Sequence, residues 1–331
     1  MAHCTRRAFF AATMGAAVTP ANPVRTSVPT ATGSVAPSLL GTTLIHEHVL
    51  VDFVGADRVS PSRYNRDEVF RVALPKLQEV RRRGCRTLVE CTPAYLGRDP
   101  ELLRRLSKAS GVLVLTNTGY YGAARDKHLP KHAFEETPEQ LAQRWVREAQ
   151  DGIDGTGIRP AFQKLGVDAG PLSAVDRKLI EAGCLTWQQT GLRMHVHTGN
   201  GEAALGILEV LKQRGVPARA YVWVHAQNER DREIHRRLGA AGAFLEFDGI
   251  NERSLDRHLA AVLDLWKAGF ANQLLISQDS GWYHVGEPGG GNYRGYTFLF
   301  DAFLPALRRA RMTEADLRRL LVLNPRTVFA G

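Results

Sequence analysis

The chain has no Asp or Glu in its first 45 residues, no CxxC pair and no unbroken apolar stretch of bilayer length. A membrane-spanning helix needs about 20 consecutive apolar residues, so no span is expected. The four cysteines, Cys4, Cys85, Cys91 and Cys184, are scattered, which argues against a disulfide framework. Cys91 stands near a predicted strand end and reads as a packed core thiol. The formal charge is +9, yet no basic stripe is interleaved with aromatics. The densest basic run, Arg81 to Arg83, precedes Gly84 and closes a predicted helix, where cations suit the negative end of the dipole. A nucleic-acid partner is therefore not expected.

The acid-free start is MAHCTRRAFFAATMGAAVTPANP. Thr-Arg-Arg-x-Phe-Phe followed by a modest apolar run and small residues resembles a twin-arginine export signal. Residues 1–21 are read as that signal, recognised by the twin-arginine export machinery, with a periplasmic or extracellular destination. The plainer alternative is an unstructured basic terminus. Residues 22–39 are rich in Pro, Thr, Ser and Ala and read as a linker. Residues 40–331 read as one domain, with ample apolar content for a core.

From residue 41, short apolar β-branched segments alternate with longer amphipathic ones. Strands are predicted at 41–48, 86–92, 111–118, 159–167, 191–198, 220–226, 243–249 and 273–279. Helical patterns occupy 66–83, 137–153, 171–190, 201–214, 229–241 and 252–269. Asn324-Pro325 opens a final short helix, with proline at its first position. Such alternation argues for parallel sheet with right-handed crossovers. Eight strands close a TIM-type (β/α)8 barrel. An open doubly wound sheet would announce a glycine-rich loop after its first strand; here that strand ends in HEHVL.

Catalytic groups of a barrel sit at the C-terminal strand ends. His46 and His48 are two residues apart on strand one, so they share a face while Glu47 points to the helices as a structural residue. Alone, the pair reads either as metal ligands or as buried packing residues. Lys164 lies inside strand four, where a cation must escape to water, find a partner or lose its charge. Strand five ends in His195-Val-His197, strand six in His225 and strand eight in Asp279. A shared metal centre explains these residues together; separate packing reasons would need one account for each.

This order resembles the amidohydrolase superfamily, and within it the phosphotriesterase family. The resemblance extends through LVECTPAYLGRDPELL, NTGYYG, DGIDGTGIRPAFQKLGV, MHVHTGNG, VHAQNE, LLISQDSGW and LLVLNPRTVFAG, nearly everything from residue 41. It implies two divalent metal ions, expected to be zinc. His46, His48 and Asp279 would hold one; His197 and His225 the other. Lys164, carboxylated by carbon dioxide, and a hydroxide would bridge them. His195, one layer deeper, is left as a supporting or core residue, with ligation as the alternative.

The implied chemistry is hydrolysis of a small-molecule lactone or carboxylic ester. The hydroxide would attack the carbonyl and Asp279 would shuttle the proton. Tyr121 matches a position where lactone-hydrolysing relatives carry tyrosine, but Gly249 stands after Asp248 where that branch tends to carry arginine. Phosphotriester hydrolysis at the same centre is the alternative. A non-catalytic metal-binding or receptor protein is the alternative of a different class. Tyr120 and Tyr121, with Trp282, Tyr283 and Arg294 in a glycine-rich loop after strand eight, are the predicted substrate contacts. The chain allows a homodimer.

Overall fold

The computed structural model describes residue 1 and residues 25–330. Apart from Met1, the predicted export signal therefore lies outside the described residues.

All eight predicted strands form, each shorter than its apolar segment. They are β1 (Thr43–Glu47), β2 (Thr87–Glu90), β3 (Leu113–Leu115, resuming at Asn117–Thr118), β4 (Phe162–Val167), β5 (Met194–Thr198), β6 (Tyr221–Val224), β7 (Phe244–Phe247) and β8 (Leu274–Ile276). Every neighbouring pair from β1 to β8 is parallel. The first part of β3 pairs with β2 and the second with β4, so one irregular residue, Thr116, redirects the strand. The seam between β8 and β1 is closed at its C-terminal end. Asp279 N donates to His46 O at 3.1 Å, and His48 N to Ser280 O at 2.8 Å. The chain is thus a closed (β/α)8 barrel.

The crossovers are helical: α1 (Arg66–Arg82), α2 (Pro100–Ser110), α3 (Pro138–Asp151), α4 (Ala174–Thr190), α5 (Gly201–Gln213), α6 (Arg232–Ala241) and α7 (Leu255–Lys267). Side-chain caps explain several starts. Asn65 Oδ1 accepts from Asp67 N at 2.8 Å ahead of α1, and Thr137 with Gln140 forms a capping box on α3. The apolar faces of these helices pack on the outside of the strands.

Two expectations change. Residues 22–39 are not all linker: Val28–Thr30 and Gly33–Val35 form an antiparallel hairpin. Val28 is fully buried with Leu40, Ile45, Phe162 and Phe329, and Ala31 N donates to Val114 O at 2.8 Å. The hairpin covers the end of the barrel opposite the strand tips. Its proline and small hydroxyl residues resemble a linker in composition, but its two valines serve the core. Pro325 also does not open a helix. The helical run begins at Glu314, and wide turns over Arg319–Leu323 immediately precede Asn324–Ala330. Leu299–Phe303 stands in the same relation to Pro305. A proline has no N–H and crowds the carbonyl four residues back, and a wider turn just before it relieves both problems.

Cys91 is fully buried inside the barrel, its Sγ 3.9 Å from Ile45 O, as a packed core thiol should be.

Candidate metal centre

Pleating brings His46 and His48 to the inner face at the top of β1, and both are buried. Asp279 follows β8 across the seam. Its Oδ1 lies 3.2 Å from His48 Nε2 and 3.7 Å from His46 Nε2. Lys164, 2% exposed on β4, points its Nζ at His46 Nε2 from 3.4 Å. The His225 ring lies 5.1 Å from that of His46 and 4.5 Å from that of His197. The six residues singled out as ligands in the sequence therefore meet at one place, the C-terminal mouth of the barrel.

The arrangement is incomplete as a purely protein site. Asp279 Oδ1 is buried without a hydrogen-bond partner among the described residues. Lys164 and His46 present two nitrogens to each other rather than a donor to a carboxylate. His46, His48 and Asp279 offer ligand atoms within 4.8 Å of one another, as do His46, His225 and Asp248. This donor set suits a divalent ion that takes imidazole and carboxylate. Burial, reinforced by Lys164, lowers His46 to about 3. Burial also lowers His48 and His197. The rings are thereby kept in the neutral form that binds metal.

Several neighbours fix which nitrogen faces the centre. His46 Nδ1 donates to Glu246 Oε1 at 2.6 Å and also lies 3.2 Å from Asp248 Oδ2. His225 Nδ1 donates to Asp248 Oδ1 at 2.5 Å, and the His225 backbone N–H to Oδ2 at 3.1 Å. Thr92 donates its one hydroxyl proton to Glu90 Oε1 at 2.6 Å, so its oxygen accepts from His48 Nδ1 at 2.8 Å. Each ring is left with Nε2 for the centre. Glu47 faces away, as expected. Its carboxylate accepts from Ser277 Oγ, Gln278 N and Ser280 N at 2.8, 3.1 and 2.7 Å. Burial pushes that carboxyl up to about 8, against the pull of these donors.

Backbone strain concentrates here. His225, Asp279 and Trp282 have φ of 63°, 50° and 77°, a region costly for non-glycine residues. The surroundings hold it in place. Asp279 O accepts from Trp282 Nε1 at 2.9 Å and from the Arg294 guanidinium.

The predicted substrate contacts divide. Tyr121 reaches the centre, its hydroxyl 3.1 Å from His197 Nδ1. The Trp282 ring lies 4.6 Å from that of His48, and Arg294 touches Asp279. Tyr120 does not reach it: its ring packs on Trp145 and Tyr95, and its hydroxyl meets His132 Nε2 at 2.9 Å. The reason is alternation, since adjacent residues leaving β3 face opposite ways. Tyr283 is displaced for the same reason relative to Trp282, and its hydroxyl donates to Glu68 Oε1 at 2.7 Å. His195 is no ligand in this geometry. It lies fully buried one layer below, between Phe162 and Phe329 at 4.5 and 5.8 Å.

Sequence reasoning missed Glu246, Asp248, Thr92 and two rim residues, Phe53 and His128. Phe53 is 40% exposed and lies 5.6 Å from Trp282 and 6.0 Å from His128, ring to ring. The signal for the two acids was present in FLEFDG, where positions 246 and 248 alternate inward as the histidines of β1 do.

Known proteins give the same picture. Residues 26–329 match the phosphotriesterase family. The chain is 27% identical over 294 residues to the phosphotriesterase homology protein of Escherichia coli K12, covering 87% of this chain and 98% of that one. An organophosphorus hydrolase from Deinococcus radiodurans superposes with a TM-score of 0.83 at 27% identity, covering 95% of this chain and all of that one. A mutant of a phosphotriesterase-like lactonase from the same organism superposes with 0.81 at 27%, covering 91% and 99%. The barrel, its ligand-type residues and a match over nearly the whole described chain show that this protein is a metal-dependent hydrolase belonging to the phosphotriesterase family.

Proposed function

We propose that the chain is a binuclear hydrolase of lactones and related carboxylic esters. His46, His48 and Asp279 would hold one ion and His197 and His225 the second, and Lys164, carboxylated by carbon dioxide, would supply a further oxygen ligand. The observation that carries this reading is the buried Asp279 Oδ1, without a hydrogen-bond partner among the described residues, facing two imidazoles, one of which also meets Lys164 Nζ. Two divalent ions, in the first instance zinc, would polarise the scissile carbonyl and lower the pKa of water.

The residues do the rest. Asp279 Oδ1 takes the proton of the attacking water and returns it to the leaving oxygen as the ester C–O bond breaks. The Asp279 main chain is held by Trp282 and Arg294, so the carboxylate keeps its aim. Tyr121, beside His197, offers a hydroxyl to the substrate's oxygen. Phe53 and Trp282 form an apolar wall that keeps water from the far side. That aromatic wall also fits an aryl leaving group, the observation that favours phosphotriesters as the second reading.

Metal analysis of protein purified with zinc should find about two ions per chain, and Lys164→Ala should lose metal and activity together. Wild-type protein that binds no zinc would sink the reading. On a panel of lactones, esters and an aryl phosphotriester, kcat/KM should favour a carboxylic substrate. A preference of about 1,000-fold for the phosphotriester, roughly 4 kcal/mol of transition-state discrimination, would establish the second reading instead.

A further inference from the structure

Strand β7 places two acids on its inward face, and they differ in reach. Asp248 touches both sides of the centre: Oδ2 lies 3.2 Å from His46 Nδ1 and Oδ1 lies 2.5 Å from His225 Nδ1. It is further held by Gln227 Nε2 at 2.7 Å. Glu246, one pleat deeper, touches only His46 among the ligands, with Oε1 2.6 Å from Nδ1. Its other oxygen, Oε2, is buried without a hydrogen-bond partner among the described residues, 3.9 Å from His195 Nδ1.

Neither residue has access to water, since both are 0% exposed. Beneath them the Phe162 and Phe329 rings close the layer around His195. An acid so placed is costly unless it is paired. The His46 Nδ1–H meets Glu246, and the His225 Nδ1–H, the His225 backbone N–H and Gln227 Nε2 meet Asp248. Packing does not account for Glu246, because an apolar residue at position 246 would suit the Phe162 and Phe329 layer better.

We infer that Glu246 is a positioning residue for His46 alone: it fixes the ring with Nε2 toward the centre and tunes the His46–His48–Asp279 ion site separately from the His197–His225 one. Asp248, by its reach, serves both. The inference rests on the two-ion reading above, and it makes the two ions unequal under mutation. Partners of ligating histidines typically govern metal affinity by about 10–100-fold.

The test is zinc titration of the metal-stripped protein against a competing chelator, followed by cobalt(II) absorption spectra. The chains are wild type, Glu246→Gln, Glu246→Met and Asp248→Asn. Circular dichroism and thermal unfolding of the metal-free forms check folding. Wild type should bind two ions. Glu246→Met should keep one ion at wild-type affinity and bind the other about 10–100-fold more weakly, with one set of cobalt bands altered. Glu246→Gln, which keeps an acceptor oxygen, should lie between. Asp248→Asn should weaken both.

Glu246→Met, folded and holding two ions at wild-type affinity, overturns the inference and leaves the two-ion reading standing. Equal weakening of both sites by Glu246→Met also overturns it. A wild type that binds no zinc overturns both. If Glu246→Met does not fold, Glu246→Gln decides by the same criteria.

Discussion

Asp279 is asked to do three things at once: leave β8, cross the seam to His46, and present Oδ1 to the imidazoles. A φ of 50° lets one residue make that turn, and Gly281 at φ 97° completes it. A Cβ at position 281 would collide with His48 O and Tyr296 Oη. Gly281→Ala should therefore lower stability by about 1 kcal/mol for the left-handed backbone, with the collision adding to that cost. The loop carries Asp279, so zinc content should fall with it. Thermal unfolding and metal analysis of the variant check this. Unchanged zinc binding would show that the turn does not aim the carboxylate. At this scale, the ligands were legible because β-strand alternation turns spacing into facing: His46 with His48, and His197 on its own strand. Glu246 and Asp248 obey the same alternation but were overlooked, because an acid in a strand does not name its partner. Tyr120 and Tyr121 failed differently. Both carry suitable chemistry, and only the backbone decides which one turns inward.

Between strand and helix, the same fastening occurs twice. After β6, His235 of α6 sets Nε2 2.7 Å from Ala226 O, next to the ligand His225, and Nδ1 3.0 Å from Asp231 O. After β7, His258 of α7 sets Nε2 2.7 Å from Asp248 O and Nδ1 2.8 Å from Ser254 O. Each helix thus grips the strand tip that bears a centre residue. A neutral imidazole donates to one of its two carbonyls at a time, a charged one to both. Burial is the larger influence and lowers both pKa values. A histidine held neutral stabilises the fold fully above its unfolded pKa of about 6.5, and that contribution is lost as pH falls toward the folded value. Metal-free wild type should therefore lose stability as pH drops below about 6.5 toward the folded values of these groups. The double variant His235→Gln/His258→Gln should be less stable at pH 7 and show a shallower decline. Chemical denaturation across that pH range measures both, and parallel curves for the two proteins would contradict the argument. These fastenings could not be read from sequence, because a histidine on a helix does not reveal which carbonyl it meets. The elements themselves could be read, since the apolar rhythm marks all eight strands. Their ends could not, because hydrogen bonding stops where neighbouring strands diverge. The N-terminal hairpin was hidden because its composition is that of a linker and only its burial distinguishes it.

The barrel as a whole depends on joining its first strand to its last, some 230 residues apart. That joint has few ladder bonds, and Glu47 supplies much of the rest. One buried carboxyl accepts from Ser277 Oγ, Gln278 N and Ser280 N, the residues that flank Asp279. The same strand carries His46 and His48 on its other face. Closing the barrel and assembling the centre are thus two faces of one five-residue strand, Thr43–Glu47, and its continuation. The sequence marked Glu47 as structural from alternation alone, but the closing role depends on where β8 lies. Glu47→Leu keeps the volume and removes every acceptor, leaving donors buried and unpaired at about 1–3 kcal/mol each. For the three of them the loss should reach at least about 3 kcal/mol, which for a chain of this size lowers Tm by roughly 6 °C or more. Zinc should be lost with it, because Asp279 would no longer be held against His46 and His48. Glu47→Gln retains one acceptor oxygen and should fall between the two. Calorimetry with metal analysis on all three proteins measures this. A Glu47→Leu protein that keeps both its Tm and its zinc would mean that the backbone bonds of Asp279 and His48 close the barrel unaided.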